Sequence, residues 1–149
     1  MKAFDRLIDA TPRWLYGVGA VACAGIIIAV GQRPAKKLPK LDQLPSQDKI
    51  LHFLAYAGLA ALVLRFFVPR RASQEVPGGI WAWGAVVFFP SLVGALDEVL
   101  QGLARRGRSS DINDWLADTL GGTLVLALAL WHRSRVRRLD AERRALLPR

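Results

Sequence analysis

The chain has 149 residues, of which 52% are hydrophobic, with 21 Lys and Arg against 12 Asp and Glu for a net charge of +9. That length allows one domain, the apolar content excludes intrinsic disorder, and the single Cys23 excludes a disulfide scaffold. The charge is segregated from the apolar residues, which argues against a soluble nucleic-acid binder with an ordinary core and for a polytopic membrane protein.

In chain order, the first span is expected over Trp14–Val30, because Trp14 to Gly31 contains no charged residue. A cleaved signal is disfavoured there. The apolar run continues past Cys23 through Ile26-Ile27-Ile28, longer than the ~7–15 residues of a signal's apolar region. The second span is expected over Ile50–Val68, with His52, Tyr56 and Arg65 as polar intrusions; Arg65 lies near a helix end, where it can snorkel. The third is expected over Ile80–Leu96 and the fourth over Ile112–Trp131, where Asp118 is the one charge from Trp115 onward. At 1.5 Å per residue, spans of about 17–20 residues approach a hydrocarbon core of ~30 Å. Within them, Gly17, Gly19, Gly25, Gly58, Gly121 and Gly122 thin the helices for close packing, and Pro90 predicts a kink because Val86 loses its usual donor. The fold class is therefore all-α, a four-transmembrane-helix bundle over 12–131, with a basic helical tail over 132–149.

Four spans place both termini on one side. The terminal segments and the middle loop carry 13 Lys and Arg, against 8 for the other two loops, so the termini are expected in the cytoplasm. Trp14, Trp81, Trp83 and Trp131 fall at the same expected cytoplasmic ends. The tail then serves as a topology anchor, drawn to anionic lipid by ~1 kcal/mol per basic residue.

Acidic residues crowd the opposite end, the expected extracytoplasmic face. Asp48, His52 and Tyr56 lie at i, i+4 and i+8, on one stripe entering the second helix beside Lys49. Glu98 and Gln101 leave the third helix as i, i+3 neighbours, next to Asp97. Asp111, Asp114 and Asp118 share a face entering the fourth, after Arg108 and Ser110, the latter a candidate N-cap. Capping accounts for Asp111 and Asp114 but not for Asp118, two turns into an apolar span, where a charge costs ~2.5–3.5 kcal/mol. Its expected partner is Arg108, Lys49 or His52. The cluster is either a functional site or a polar clamp holding three helices together.

The chemistry open to such a site is a His–carboxylate proton-transfer pair or a divalent metal. A metal is set aside because only one histidine is available there, His132 falling at the other face; no cofactor is expected. A thiol nucleophile at Cys23 has no base near it in sequence, and no phosphate-loop, dinucleotide or Gly-x-Ser-x-Gly pattern occurs.

These motifs together resemble the VanZ-like family of small bacterial membrane proteins. The family pattern has Asp-Lys-x-x-His-Phe before a span, here Asp48, Lys49, His52 and Phe53, then Glu-x-x-Gln, here Glu98 and Gln101. Arg-x-x-Asp-x-x-Asp-x-x-x-Asn-x-x-Gly follows, here Arg108, Asp111, Asp114, Asp118 and Gly121. Asp118 departs from the pattern, standing where the family has Asn; a protonated carboxyl would supply the donor that an amide supplies. The resemblance covers residues 12–131 and implies a multi-pass protein of the bacterial inner membrane with a role in the cell envelope, the family's namesake being associated with glycopeptide (teicoplanin-type) resistance. Two functions are expected: binding or modifying an envelope precursor or lipid headgroup from outside, or a non-enzymatic interaction protein whose cluster is a clamp. An ion pathway is weaker, because the inner half offers no ionisable relay. No nucleic-acid partner is expected.

Overall fold

The computed structural model describes residues 11–33, 47–68, 76–104 and 110–146. They form four helices: α1 (Arg13–Gly31), α2 (Gln47–Phe67), α3 (Ile80–Ala104) and α4 (Ile112–Ala145). All four are long and apolar enough to cross a membrane. Large apolar side chains such as Val21, Ile26, Phe88 and Leu103 are exposed along them. In water such a surface would be an aggregation hazard; in a bilayer it is the lipid-facing coat.

Contacts at the helix ends establish an antiparallel up-down order. The Arg13 guanidinium, at the start of α1, donates to the carbonyls of Phe66 and Phe67 at the end of α2, where a helix leaves acceptors unused. At the other end, Gln32 after α1 donates to Asp97 late in α3 at 3.4 Å. The α2–α4 pair forms the most extensive interface, and α1 packs on α2 and α3 but not on α4 among the described residues.

Two adjacent glycines set the position of α4. A methyl group on Gly121 would sit 2.5 Å from the Phe53 carbonyl oxygen and 3.0 Å from the Ala57 nitrogen, so α2 backbone lies directly against it. A methyl on Gly122 would sit 3.3 Å from the Val86 carbonyl oxygen of α3, the carbonyl that Pro90 leaves without a helical donor. Gly17 and Gly19 seat Phe66 and Leu62 in the same way, whereas Gly25 and Gly58 face open space and bring no described helix closer. The core between the helices is thin, built on Tyr56, Leu59 and Val63 with Ala20, Ala24 and Val93, and Cys23 packs against its edge.

The helices outrun the expected spans. α3 continues through Ala104, so Glu98 and Gln101 lie on the helix and not beyond it. α4 continues to Ala145 without a break at residue 131, giving a rod of about 50 Å at 1.5 Å per residue. Charge marks where a helix leaves the lipid, and the backbone has no reason to stop there. Ser110 is not the cap of α4. Asp111 is, its side chain accepting from the Asn113 N–H at 2.9 Å.

Candidate functional site

The end of the bundle where α1 and α3 finish and α2 and α4 begin holds the polar cluster. Lys49, on the first turn of α2, reaches across to α4 and bridges Asp111 Oδ2 at 2.8 Å and Asp114 Oδ1 at 2.9 Å. One turn further along α2, His52 Nδ1 lies 3.0 Å from Asp118 Oδ1, and its Nε2 lies 3.9 Å from Asp114 Oδ2. An i, i+3 step on α2 and an i, i+4 step on α4 therefore stack two cross-helix layers, Lys49 with Asp114 and His52 with Asp118. Tyr56 follows one turn deeper, its ring parallel to His52 with centroids 6.2 Å apart.

α3 closes the third side. Glu98 Oε2 accepts from the Asp111 N–H at 2.6 Å, tying α3 to the start of α4. Gln101 donates to Asp97 at 2.8 Å, and Asp97, 1% exposed, also receives Gln32 from beyond α1. Beneath these, the Trp115 indole donates to the Ser91 carbonyl at 3.0 Å, and Ser91 and Thr119 share a hydrogen bond at 3.0 Å. The polar lock between α3 and α4 thus extends below the acidic layer.

Burial is deep for groups that titrate. Asp118 is 0% exposed, Glu98 5% and Asp114 6%. Asp118 Oδ2 and Glu98 Oε1 are buried with no hydrogen-bond partner among the described residues. Both deep aspartates occupy space that a glycine vacates: Asp118 lies against Gly94 of α3 and Asp97 against Gly31 of α1. At the rim, the Lys49 ammonium, followed by the Asn113 N–H, pulls the Asp111 carboxyl down to a pKa of about 2.

The structure brings Lys49, His52, Tyr56, Glu98, Asp111, Asp114 and Asp118 to one end, with Gln101 beside them through Asp97. The Asp48 side chain stays on the rim, largely exposed and 3.9 Å from Lys49. The stripe that groups it with His52 misplaces it, because the long Lys49 stem reaches the acids from the neighbouring helical position. Arg108 lies outside the described residues. Of the two expected partners of Asp118 that are described, His52 meets it, while Lys49 bonds Asp111 and Asp114. Asp97 and Gln32 were not among the expected site residues. An aspartate at i−4 from a glutamine on an apolar helix was the available signal for the first; nothing local marks the second.

His52, Glu98 and Asp114 each present one donor atom, all within 4.8 Å of one another. The cluster so combines a cation at its mouth, an imidazole bonded to a carboxylate, and two buried carboxylate oxygens without a partner among the described residues. It can neutralise an incoming anion, move a proton, or hold a small cation.

Four lipid-facing helices with charged groups confined to the ends and interior define a multi-pass membrane protein. The chain belongs to the VanZ/LLP1 family, whose model matches residues 14–133, a region that takes in α1 from Trp14, α2, α3, α4 through Arg133 and every residue of the cluster. No curated protein and no solved structure matches the chain significantly.

Proposed function

We propose that this protein lies in the bacterial inner membrane with both termini in the cytoplasm, and that its outward-facing cluster binds or modifies an envelope precursor or lipid headgroup. The observation that carries the reading is the convergence of Lys49, His52, Glu98 and Asp114 from three helices at one bundle end, beneath an otherwise lipid-facing apolar coat. An intramembrane ionisable group is costly and marks a functional site by default. Lys49 is the group for a phosphate or carboxylate of the headgroup, with Arg105, Arg106 and Arg108 following in the connection to α4. His52, bonded to Asp118, is the group for proton transfer. At the opposite end, the basic extension of α4 meets anionic lipid of the inner leaflet. A glycopeptide-resistance phenotype of the teicoplanin type is the cellular outcome in keeping with this reading.

Reporter fusions at residue 149 and within 101–107 test the orientation: the first should report a cytoplasmic location and the second an external one. Mass spectrometry after gentle purification tests the ligand. A phosphate-bearing lipid should be retained by the native chain and lost from Lys49→Ala. The Glu98 bond to the Asp111 backbone favours a second reading, a non-enzymatic interaction protein with the cluster as clamp. In that case Lys49→Ala, His52→Ala and Glu98→Gln lower thermal stability together and no lipid is retained by any of them.

A further inference from the structure

We propose that His52, Glu98 and Asp114 form a binding site for one divalent transition-metal ion, of which Zn2+ is the best chemical match, with Asp118 as the positioning residue for His52. The proposal rests on the cluster being one site, as argued above, but not on the identity of any lipid.

Three donor atoms, one from each side chain, lie within 4.8 Å of one another. Ligands about 2.1 Å from a tetrahedral ion sit roughly 3.4 Å apart, so side-chain shifts on the order of 1 Å close the site around a metal. Each residue already has one atom committed to a fixing bond and one left over. Glu98 Oε2 is held by the Asp111 N–H, and Oε1 is buried without a partner among the described residues. Asp114 Oδ1 is held by Lys49, and Oδ2 faces His52 at 3.9 Å. His52 Nδ1 is held at 3.0 Å by Asp118, which leaves the Nε2 lone pair for coordination when Nδ1 carries the proton. Ligands braced by carboxylates and backbone in this way are the common form of a metal's outer shell. In this arrangement Asp118 accepts a hydrogen bond rather than donating one.

Charge points the same way. Glu98, Asp111, Asp114 and Asp118 face Lys49 and a histidine, so the described cluster carries more acid than base. Leaving a buried carboxylate oxygen unpaired is unfavourable, and a doubly charged ion offsets it. The imidazole nitrogen selects against Mg2+ and Ca2+, which prefer all-oxygen shells. Three protein ligands would leave a fourth position for a water or a phosphate oxygen. The single histidine at this end, which argues from sequence against a metal, is sufficient once two buried carboxylates complete the set.

The test uses full-length, tag-free protein, stripped with chelator and held in nanodiscs of phosphatidylcholine alone. Zn2+ titration by calorimetry, elemental analysis and the visible spectrum of the Co2+-loaded protein read the site directly. One ion per chain is expected, with a Co2+ spectrum of low coordination number. Glu98→Gln and Asp114→Asn, chosen as near-isosteric, and His52→Ala should each weaken binding at least 10-fold while circular dichroism confirms the helices. Asp118→Ala should cost 10–100-fold, as loss of a supporting partner does, and Asp118→Asn less, since its carbonyl still accepts from Nδ1. His132→Ala, at the other end, should bind as the native chain does. Absence of stoichiometric binding in the folded native protein overturns the proposal, as does binding that survives all three ligand substitutions. Because these discs contain no anionic or precursor lipid, metal binding without lipid retention defeats the headgroup reading alone. Lipid retention without metal binding defeats the metal site alone.

Discussion

The two ends of the bundle handle charge by different means. At the site end, carboxylates meet Lys49, His52, an amide and a backbone N–H at fixed short distances, four of them nearly removed from solvent. At the aromatic end, arginines lie over rings: Arg65 is 5.6 Å from the Tyr16 centroid, Arg133 5.7 Å from Trp83 and Arg135 5.6 Å from Trp131. Charge pairs of the first kind depend on register to within a fraction of an ångström. Cation–ring contacts tolerate sliding and suit an interface where rings and headgroups mix. One end is built for geometry and the other for anchorage.

The comparison breaks most completely if α2 and α4 lose register. Gly121→Leu drives a side chain into the backbone at Phe53 and Ala57, so thermal unfolding in detergent should show a loss of ~3 kcal/mol or a failure to accumulate. Both layers of the site should go with it, and the aromatic end should survive in part. A smaller effect separates charge from shape within the site. Asp118→Ala leaves the His52 nitrogen without its partner and should cost ~1–3 kcal/mol, whereas Asp118→Asn, which matches the family pattern, should stay within about 1 kcal/mol. If the two variants destabilise equally, the pairing with His52 is not what holds Asp118. At the other end, Trp83→Leu should cost less again, about 0.5–1 kcal/mol, and leave the site's spectroscopic readouts unchanged.

The smallest effect is a pH dependence. The Asp111 carboxyl titrates at about 2, below its ordinary value near 3.8. Its contribution is therefore fully present above pH ~4 and is lost as pH falls through about 2. The melting temperature of the native chain minus that of Asp111→Asn should shrink between those limits. No change in that difference would show that Lys49 does not hold Asp111 in solution.

Much of this was legible before any coordinates. Long apolar runs with few or no charges located all four spans, because nothing but lipid or a dry core tolerates them. Helical spacing placed His52 and Tyr56 on one face, and Asp114 and Asp118 on another, correctly facing each other. What failed was reading polarity as an end to structure. Asp97 and Glu98 looked like residues leaving a helix, yet both are buried on α3, where Gln101 one turn on, Gln32 from beyond α1 and the Asp111 N–H bond them. Gln32 and the Asp111 N–H come from other segments, and no local pattern announces them. Asp48 lies at the same end but stays on its rim, and Lys49, one position on, has the reach to the acids of α4.

The glycines beneath the aspartates have a further meaning. Gly94 and Gly31 let the carboxylates of Asp118 and Asp97 lie against helix backbone, where both are closed off from solvent. Glutamate at position 118 keeps the charge and the hydrogen-bonding atoms, but its added carbon has no seat. Length of side chain, as much as acidity, is therefore under constraint here. The glycines act as a ruler for their neighbours, and a lengthened acid at 118 or 97 should be tolerated only with rearrangement of α3 or α1.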